Sequence, residues 1–238
     1  MKLPAFITPN SITVMRLLFV PVGAYTLFKN GGDDPTWQYI SWCVFFVLGL
    51  SDILDGKFAP NTSFSWTEAQ NIISGSSIPV DAHLMVIDSD VQGPRYAEAG
   101  CTSVTVHVES TADIRKTIKN IKSNGARASL ALKPASQIET YVDHLDEVDM
   151  FLIMTVEPGF GGQSFMPEMM EKVSKTRDLI GDRPIWLQVD GGISKETIEI
   201  ARAAGADTFV AGSAVYKSDN PAAMINTLRA LAEHAQPN

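Results

Sequence analysis

Three side chains that are able to bind a divalent metal occupy similar positions in the sequence. His83 lies in DAHLM and Asp190 in VDGGI, and each ends an apolar run that is typical of a β-strand. Asp52 takes the same position if residues 50–54 also form a strand. The carboxyl ends of the strands form the catalytic face of an α/β barrel. Because an imidazole and two carboxylates are ordinary ligands of such ions, the sequence predicts a metal site formed by Asp52, His83 and Asp190.

Glycine-rich segments follow three successive predicted strands. The first is EPGFGGQ at residues 157–163, the second is DGG at 190–192, and the third is the pair Gly212-Ser213. Glycine lets backbone N–H groups turn toward an anion without a Cβ clash, and such segments bind phosphate. A tight turn is the alternative for residues 157–163 alone, but the agreement of three segments favours a phosphate site. This site would be formed by Gly159, Gly161, Gly162, Gly191, Gly192, Gly212 and Ser213.

The elements that would position these side chains alternate between strand and helix patterns. Short apolar runs predict six strands, at residues 78–85, 103–108, 127–132, 149–156, 184–189 and 207–214, with a seventh at 50–54. Amphipathic patterns predict helices at residues 111–123, 137–145, 167–180, 194–204 and 220–234, with Ser194 as an N-cap and helix ends at 123–125 and 204–206. We therefore expect an α/β protein with a TIM (β/α)₈-type barrel that is incomplete, since the first of the eight strands has no counterpart.

Residues 1–50 differ in composition, which indicates a separate domain before a barrel at residues 51–238. Residues 11–28 are apolar apart from Arg16 and are interrupted by Pro21, and residues 37–50 carry no charge. The pattern predicts two apolar helices. Since about 20 apolar residues cross a membrane, transmembrane or membrane-associated helices are one interpretation. A pair of buried helices in a soluble fold is the other.

The start of the chain resembles CDP-alcohol phosphatidyltransferases of the phosphatidylglycerophosphate synthase type. The resemblance rests on TPNSITVMR at residues 8–16, on the two apolar segments and on SDILDG at 51–56, and it ends at about residue 58. The family's DxxDGxxAR motif is matched by Asp52, Asp55, Gly56 and Ala59, but Pro60 replaces the arginine and no GxxxDxxxD follows. That chemistry needs four carboxylates around divalent cations. The resemblance therefore implies a fragment of such a membrane enzyme.

A second resemblance covers residues 52–238 and is to the ribulose-phosphate 3-epimerase family. It is carried, in order, by DxxDGxFxPN, DxHLM, SVTxHxE, LALKP, MTVEPGFGGQxF, QVDGGI and AGADxFVAGSAVY. It implies an isomerase that moves one proton at carbon 3 of a ketopentose 5-phosphate and so converts D-ribulose 5-phosphate into D-xylulose 5-phosphate. Asp52 and Asp190 would be the acid and the base, on opposite faces of the substrate. The resemblance also implies the residues around the substrate and its phosphate, which would be His83, Gly159, Phe160, Gly161, Gly162, Asp190, Gly191, Gly192, Gly212 and Ser213. One divalent cation of the Zn, Fe, Mn or Co type, held by both and by His83, would stabilise an enediolate that Met85 and Met154 would shield.

Departures from that family predict impaired activity. Leu50 stands where the family has a metal-binding histidine, and Leu54 replaces a methionine. The family's first strand, with an APSILS-like segment, has no match, because the phosphatidyltransferase-like segment occupies its place. A chain that binds phosphate without catalysis is therefore the alternative to an epimerase. The role of His107, in TVHVE, is also open between the site and a structural function.

The bulk composition limits the partners. The 238 residues carry a net charge of −8, which argues against nucleic acid, since phosphate neutralisation requires clustered Lys and Arg. Two cysteines without a CxxC or Cys/His cluster indicate a reducing compartment and no structural zinc. We expect a cytoplasmic barrel that binds a small sugar phosphate, with membrane contact through residues 1–50. Whether the chain forms a homo-oligomer is left open.

Overall fold

A parallel β-sheet organises the part of the chain that the computed structural model describes, residues 64–159 and 162–235. Its six strands lie in sequence order, so that each strand pairs in parallel with the next one along the chain. Sequential parallel pairing of this kind is the arrangement of (β/α) barrels. The strands are β1 (Asp81–Leu84), β2 (Ser103–His107), β3 (Arg127–Leu132), β4 (Met150–Met154), β5 (Trp186–Asp190) and β6 (Thr208–Val210).

Helices connect these strands and flank them. Within the described residues the α-helices are α1 (Trp66–Gly75), α2 (Ser89–Glu98), α3 (Ile114–Ser123), α4 (Met169–Ile180), α5 (Ile198–Ala203), α6 (Ser213–Tyr216) and α7 (Pro221–His234). Two 3-10 helices, Val108–Ser110 and Ile138–His144, follow β2 and β3. The longest segment between a strand end and the next helix covers residues 155–168, between β4 and α4.

Local sequence signals explain where several of the helices begin. Ser65 and Glu68 form a capping box at α1, in which each side chain accepts a hydrogen bond from the backbone N–H of the other residue. Asp113 caps α3, and Asn220 caps α7, whose first residue is Pro221. Each cap satisfies backbone N–H groups that a helix N-terminus would otherwise leave without partners.

The core lies between the sheet and the helices. All residues of β2 and of β4 are buried. Parallel strands are covered on both faces and therefore read as continuous apolar runs, which is why the sequence shows them so clearly. The buried face of α3, with Thr117, Ile118 and Ile121, packs toward β3 and α2. This packing gives the strand ends a rigid support.

The prediction of a parallel α/β architecture with six strands is confirmed. The predicted helix ends at 123–125 and 204–206 are confirmed as well, since Gly125 and Gly205 adopt φ of +85° and +104° just after α3 and α5.

Two helix predictions are wrong. Ser194 does not cap α5, which begins at Ile198, because the Ser194 hydroxyl binds Glu196 in a separate turn before the helix. Residues 137–145 contain a 3-10 helix where an α-helix is expected. The sequence patterns also do not identify α1 and α2.

Several expectations concern residues outside the described ranges. They are the strand at 50–54, the missing first barrel strand, the two apolar helices and the boundary at residue 50. Among residues 64–159 and 162–235, no helix is long and apolar enough to cross a membrane.

Candidate active site

His83 and Asp190 meet at the carboxyl ends of the strands. His83 belongs to β1 and Asp190 is the last residue of β5, yet His83 Nδ1 lies 3.4 Å from Asp190 Oδ2. Adjacent strands are about 4.8 Å apart, so a flat sheet would separate β1 from β5 by roughly 19 Å. The contact therefore requires the sheet to curl as it does in a barrel.

The His83–Asp190 pair has the spacing of two ligands of one metal ion. Bonds of about 2.0–2.1 Å in tetrahedral geometry place neighbouring ligand atoms roughly 3.3 Å apart. The observed 3.4 Å is close to that value and is longer than an ordinary N–H···O hydrogen bond. An imidazole nitrogen and a carboxylate oxygen are suitable donors for Zn, Fe, Mn or Co. The two residues thus fit the predicted cation.

The described residues do not supply a complete ligand set. No group of three His, Cys, Asp or Glu side chains suited to a metal occurs within 64–159 and 162–235. The third predicted ligand, Asp52, lies outside these ranges, and so does Leu50. The metal site therefore stays a prediction, supported by the geometry of one pair.

His83 contacts a second buried histidine, His107, which is the last residue of β2. His83 Nε2 lies 2.8 Å from His107 Nε2, and the two ring planes differ by 16° with their centroids 5.0 Å apart. Because the centroid distance exceeds the nitrogen distance by about two ring radii, the rings meet edge to edge, as an N–H···N hydrogen bond requires. His107 Nδ1 in turn lies 3.1 Å from Glu109 Oε2. His83, His107 and Glu109 thus form a hydrogen-bonded chain.

Burial and hydrogen bonding set the protonation of this chain. Burial lowers the pKa of His107 to about 4, although the hydrogen bond to Glu109 acts in the opposite direction. Burial raises the pKa of Glu109, but hydrogen bonds from His107, Ser136 and the Lys133 N–H outweigh that effect and lower the pKa to about 2. At neutral pH, Glu109 is therefore an ionised acceptor and His107 is a neutral ring.

A cavity of about 160 Å³ lies beside Asp190. Its wall combines residues at the carboxyl ends of β1, β4, β5 and β6. Backbone N–H groups in such glycine-rich segments are suited to an anion. The predicted site residues that line this cavity are Met85, Met154, Gly159, Gly162, Asp190, Gly191, Gly192, Gly212 and Ser213.

The segment after β5 passes too close to its neighbours to carry side chains. Gly191 and Gly192 adopt φ of +125° and +67°. A Cβ at Gly191 would lie 2.5 Å from Val156 Cγ2, and a Cβ at Gly192 would lie 2.5 Å from the backbone nitrogen of Phe165. Both the backbone conformation and the close approach therefore require glycine.

Thr155, fully buried just after β4, ties the ends of β4 and β5 together. Its N–H donates to the Asp190 carbonyl at 2.7 Å, and its hydroxyl donates to the Gly191 carbonyl at 2.6 Å. The Thr197 hydroxyl donates to the Gly192 carbonyl at 2.9 Å. These bonds fix the backbone that carries the Asp190 carboxylate.

The remaining predicted site residues differ in where the structure places them. His83 is buried and does not line this cavity, but it lies 3.4 Å from Asp190, which does. Met85 and Met154 line the cavity and also belong to a buried apolar cluster, a position that suits both shielding and core packing. Asp52, Phe160 and Gly161 lie outside the described residues, and their roles stay predictions.

Sequence reasoning did not single out Thr155 or Glu109. Thr155 is the one polar residue that ends the apolar run MFLIMT, which was an available signal. Glu109 lies two residues after His107, and the 3-10 turn Val108–Ser110 allows the two side chains to meet. No periodic pattern in the sequence predicts the 3-10 turn Val108–Ser110.

The fold defines a class, the (β/α) barrels, and the candidate site lies at the carboxyl ends of the strands, where such barrels carry their active sites. KGPDC from Streptococcus mutans aligns with 81% of this chain and 92% of its own, with a TM-score of 0.59 and 14% identity. The 3-hexulose-6-phosphate synthase from Salmonella typhimurium aligns with 71% of this chain and 81% of its own, with a TM-score of 0.54 and 19% identity. At these identities the likeness shows the fold alone.

Within that class, the chain belongs to the ribulose-phosphate 3-epimerase family, whose model matches residues 48–216. The ribulose-phosphate 3-epimerase of Mycobacterium bovis is 43% identical over 180 residues, which are 75% of this chain and 79% of that protein. The Mycobacterium leprae protein of the same name is 42% identical over 189 residues, which are 79% of this chain and 84% of that protein. A CDP-alcohol phosphatidyltransferase model matches residues 6–63. Both resemblances stated from the sequence are thus confirmed.

Proposed function

We propose that this chain epimerises D-ribulose 5-phosphate to D-xylulose 5-phosphate at carbon 3. The observation that carries the proposal is the position of Asp190, which lines the glycine-rich cavity and lies 3.4 Å from His83. A carboxylate beside a phosphate-binding wall is what proton transfer on a sugar phosphate needs. Membership of the family supports the same reaction.

Two carboxylates account for inversion at a single carbon. One carboxylate removes the proton from carbon 3, and the electron pair of the broken C–H bond moves toward the neighbouring carbonyl to give an enediolate. The other carboxylate then returns a proton to the opposite face of carbon 3. Asp190 is one of the two groups, and the family resemblance assigns Asp52 to the other. Their roles exchange when the reaction runs in the reverse direction.

The cavity wall positions the substrate for these transfers. Backbone N–H groups of the glycine segments after β4, β5 and β6 hold the 5-phosphate, which places carbon 3 near Asp190. Met85 and Met154 keep water away from the enediolate. Thr155 holds the backbone of Asp190 through its two hydrogen bonds.

His83 and Asp190, together with Asp52, are the residues that would hold a divalent cation. When bound, such a cation supplies positive charge that stabilises negative charge on the substrate oxygens. Leu50 offers no ligand atom where the family has histidine, so metal affinity and turnover are reduced. Leu50→His is expected to raise metal affinity at least tenfold, a gain of about 1.4 kcal/mol. Equal metal affinity of this variant and the wild type would contradict the explanation from Leu50.

The test is an assay in which xylulose 5-phosphate formed from ribulose 5-phosphate is consumed by a coupling enzyme. The full chain is measured with Zn²⁺, Fe²⁺, Mn²⁺ and Co²⁺ in turn, beside Asp190→Asn as a nearly isosteric control. We expect metal-dependent turnover that falls by a factor of about 10² to 10⁴ in the control, the range for loss of an acid–base group. Turnover that is unaffected by Asp190→Asn would refute the assignment.

A phosphate-binding protein without catalysis is the second candidate, and Leu50 is the feature that favours it. Calorimetric titration with inorganic phosphate separates the two functions. Phosphate binding in a chain that shows no turnover with any of the four metals would support this candidate and would overturn the epimerase.

The cellular location belongs to the same proposal. The barrel is assigned to the cytoplasm, with membrane contact through residues 1–50. Sedimentation of the full chain with phospholipid vesicles, beside a chain that starts at residue 51, tests the contact. Equal sedimentation of both would argue against it.

A further inference from the structure

A chain of hydrogen bonds runs from His83 through His107 to Glu109. We infer that His107 and Glu109 are positioning residues that fix the tautomer of His83, with the proton on Nε2 and the lone pair of Nδ1 directed at Asp190. This inference rests on the proposed function in one respect, namely that His83 Nδ1 is the atom that binds the cation.

Glu109 determines which nitrogen of the His107 ring carries the proton. Its Oε1 accepts from the Lys133 N–H at 2.8 Å and from the Ser136 hydroxyl, while its Oε2 faces His107 Nδ1 at 3.1 Å. An ionised carboxylate can only accept hydrogen bonds. The proton of the His107 ring therefore lies on Nδ1.

The contact between the two rings determines which nitrogen of the His83 ring carries the proton. Two facing imidazole nitrogens at 2.8 Å must share one proton. His107 already holds its ring proton on Nδ1, and its complete burial opposes a second one. The shared proton therefore belongs to His83 Nε2, which donates to His107 Nε2.

The remaining nitrogen of the His83 ring, Nδ1, faces Asp190 at the cavity. In a neutral His83 ring, the proton on Nε2 leaves Nδ1 unprotonated at 3.4 Å from Asp190 Oδ2, so a lone pair faces a carboxylate oxygen. Two acceptors at that separation attract a cation between them. Histidine ligands of metals are commonly oriented in this way by a hydrogen bond to the other ring nitrogen. Glu109 thus acts on the site through two rings, without contacting the substrate.

The substitution Glu109→Gln is expected to exchange donor and acceptor in the hydrogen bonds between Glu109, His107 and His83. The amide oxygen stays with its two donors, the Lys133 N–H and the Ser136 hydroxyl, so the amide NH₂ group takes the place of Oε2. That group donates to His107 Nδ1, and the His107 proton moves to Nε2. His107 then donates to His83, whose own proton moves to Nδ1 and blocks the ligand position.

Ser136→Ala is the matched control. It removes one hydrogen bond to Glu109 Oε1 and loosens the same loop, but it leaves Oε2 as an acceptor for His107. A role of Glu109 confined to loop anchoring would make the two variants alike. If Glu109 sets the tautomer of His83, only Glu109→Gln changes that tautomer and Ser136→Ala does not.

The experiment uses the full chain without metal or substrate, at mildly alkaline pH. Long-range ¹H–¹⁵N spectra of the histidine side chains distinguish the Nε2–H from the Nδ1–H tautomer. We expect the Nε2–H form of His83 in the wild type and in Ser136→Ala, and the Nδ1–H form in Glu109→Gln. A His83 ring with its proton on Nδ1 in the wild type would overturn the inference, and this result does not depend on whether any variant folds.

Metal affinity provides the second readout, measured by competition between the protein and a chelator for Co²⁺. Glu109→Gln should weaken binding by about 10- to 100-fold, the range for loss of a partner that orients a ligand. Ser136→Ala should bind as the wild type does. Equal affinity of Glu109→Gln and the wild type would refute the inference. An inactive wild type with the expected tautomers would instead count against the proposed reaction alone.

Discussion

Gly192→Ala tests whether the close backbone approach at the cavity wall is needed for stability. Gly192 has φ of +67°, and a Cβ there would lie 2.5 Å from Phe165 N and 2.7 Å from Phe165 Cα. These are backbone atoms, so no side-chain rotation relieves the overlap. One of the two segments must move, and both line or support the site that contains Asp190.

The expected loss of unfolding free energy in Gly192→Ala has two contributions, and variants of two other glycines measure them separately. Alanine in the left-handed region costs about 1–2 kcal/mol, and forcing extra volume into a packed position costs about 1–3 kcal/mol more. Gly162→Ala isolates the first part, because Gly162 has φ of +77° with open space around its missing Cβ. Gly212→Ala carries neither part, since Gly212 has φ of −89° and nothing within 4 Å of the added carbon.

Urea unfolding of the full chain and the three variants provides the measurement. We expect the free energy of unfolding to fall by about 2–5 kcal/mol in Gly192→Ala, about 1–2 kcal/mol in Gly162→Ala and by little in Gly212→Ala. A Gly192→Ala variant as stable as Gly162→Ala would refute the steric argument. Gly192→Ala should also bind inorganic phosphate less tightly than Gly212→Ala does.

Three further predictions follow from individual contacts. The pKa of Glu109 is about 2 in the folded chain against an ordinary 4.5. The ionised carboxylate therefore stabilises the fold above pH 4.5, and this contribution is lost as the pH falls toward 2. In Glu109→Gln, the unfolding free energy should depend less on pH in this range. Lys172→Met should lower the free energy of unfolding by about 1–3 kcal/mol, because Lys172 Nζ donates to the carbonyls of Lys133 and Pro134. Burial raises the pKa of Cys101 to about 12, so in a Cys43→Ser background a thiol reagent at pH 8 should react only at the rate of unfolding.

The strands could be predicted because a parallel sheet leaves a direct trace in the sequence. Strands β2 and β4 are buried along their whole length, and most residues of β1, β3 and β5 are buried, so their apolar runs can be recognised without knowledge of the partner strands. Helix α2 leaves no such trace, since it contains Gly93 and Pro94, both unfavourable to a helix. A Cβ at Gly93 would lie 3.1 Å from the side chains of Ile121 and Val106, so close packing explains the glycine and could not be read from the segment itself.

The site was predictable to the extent that strand ends share one face. His83 and Asp190 follow from that rule, and so do the glycine segments. The contact of His83 with His107 does not, because it depends on the register of β1 and β2, in which His83 lies opposite Thr105. The link to Glu109 depends on a three-residue 3-10 turn. Such contacts are set by tertiary geometry, and sequence periodicity carries no information about them.

The two family matches overlap in the segment that contains Asp52, one of the proposed site residues. Residues 48–63 belong to both matches, so Asp52 lies in a segment that either family pattern accounts for. The contacts that set His83 3.4 Å from Asp190, and that join His83 to His107 and Glu109, all lie within the described barrel. In the proposed metal site, Leu50 therefore leaves one ligand position empty, whereas the His83–Asp190 pair stays in place. Weaker metal binding follows from this, and excess metal should compensate for it, whereas a barrel that lacked the His83–Asp190 pair could not be rescued in that way.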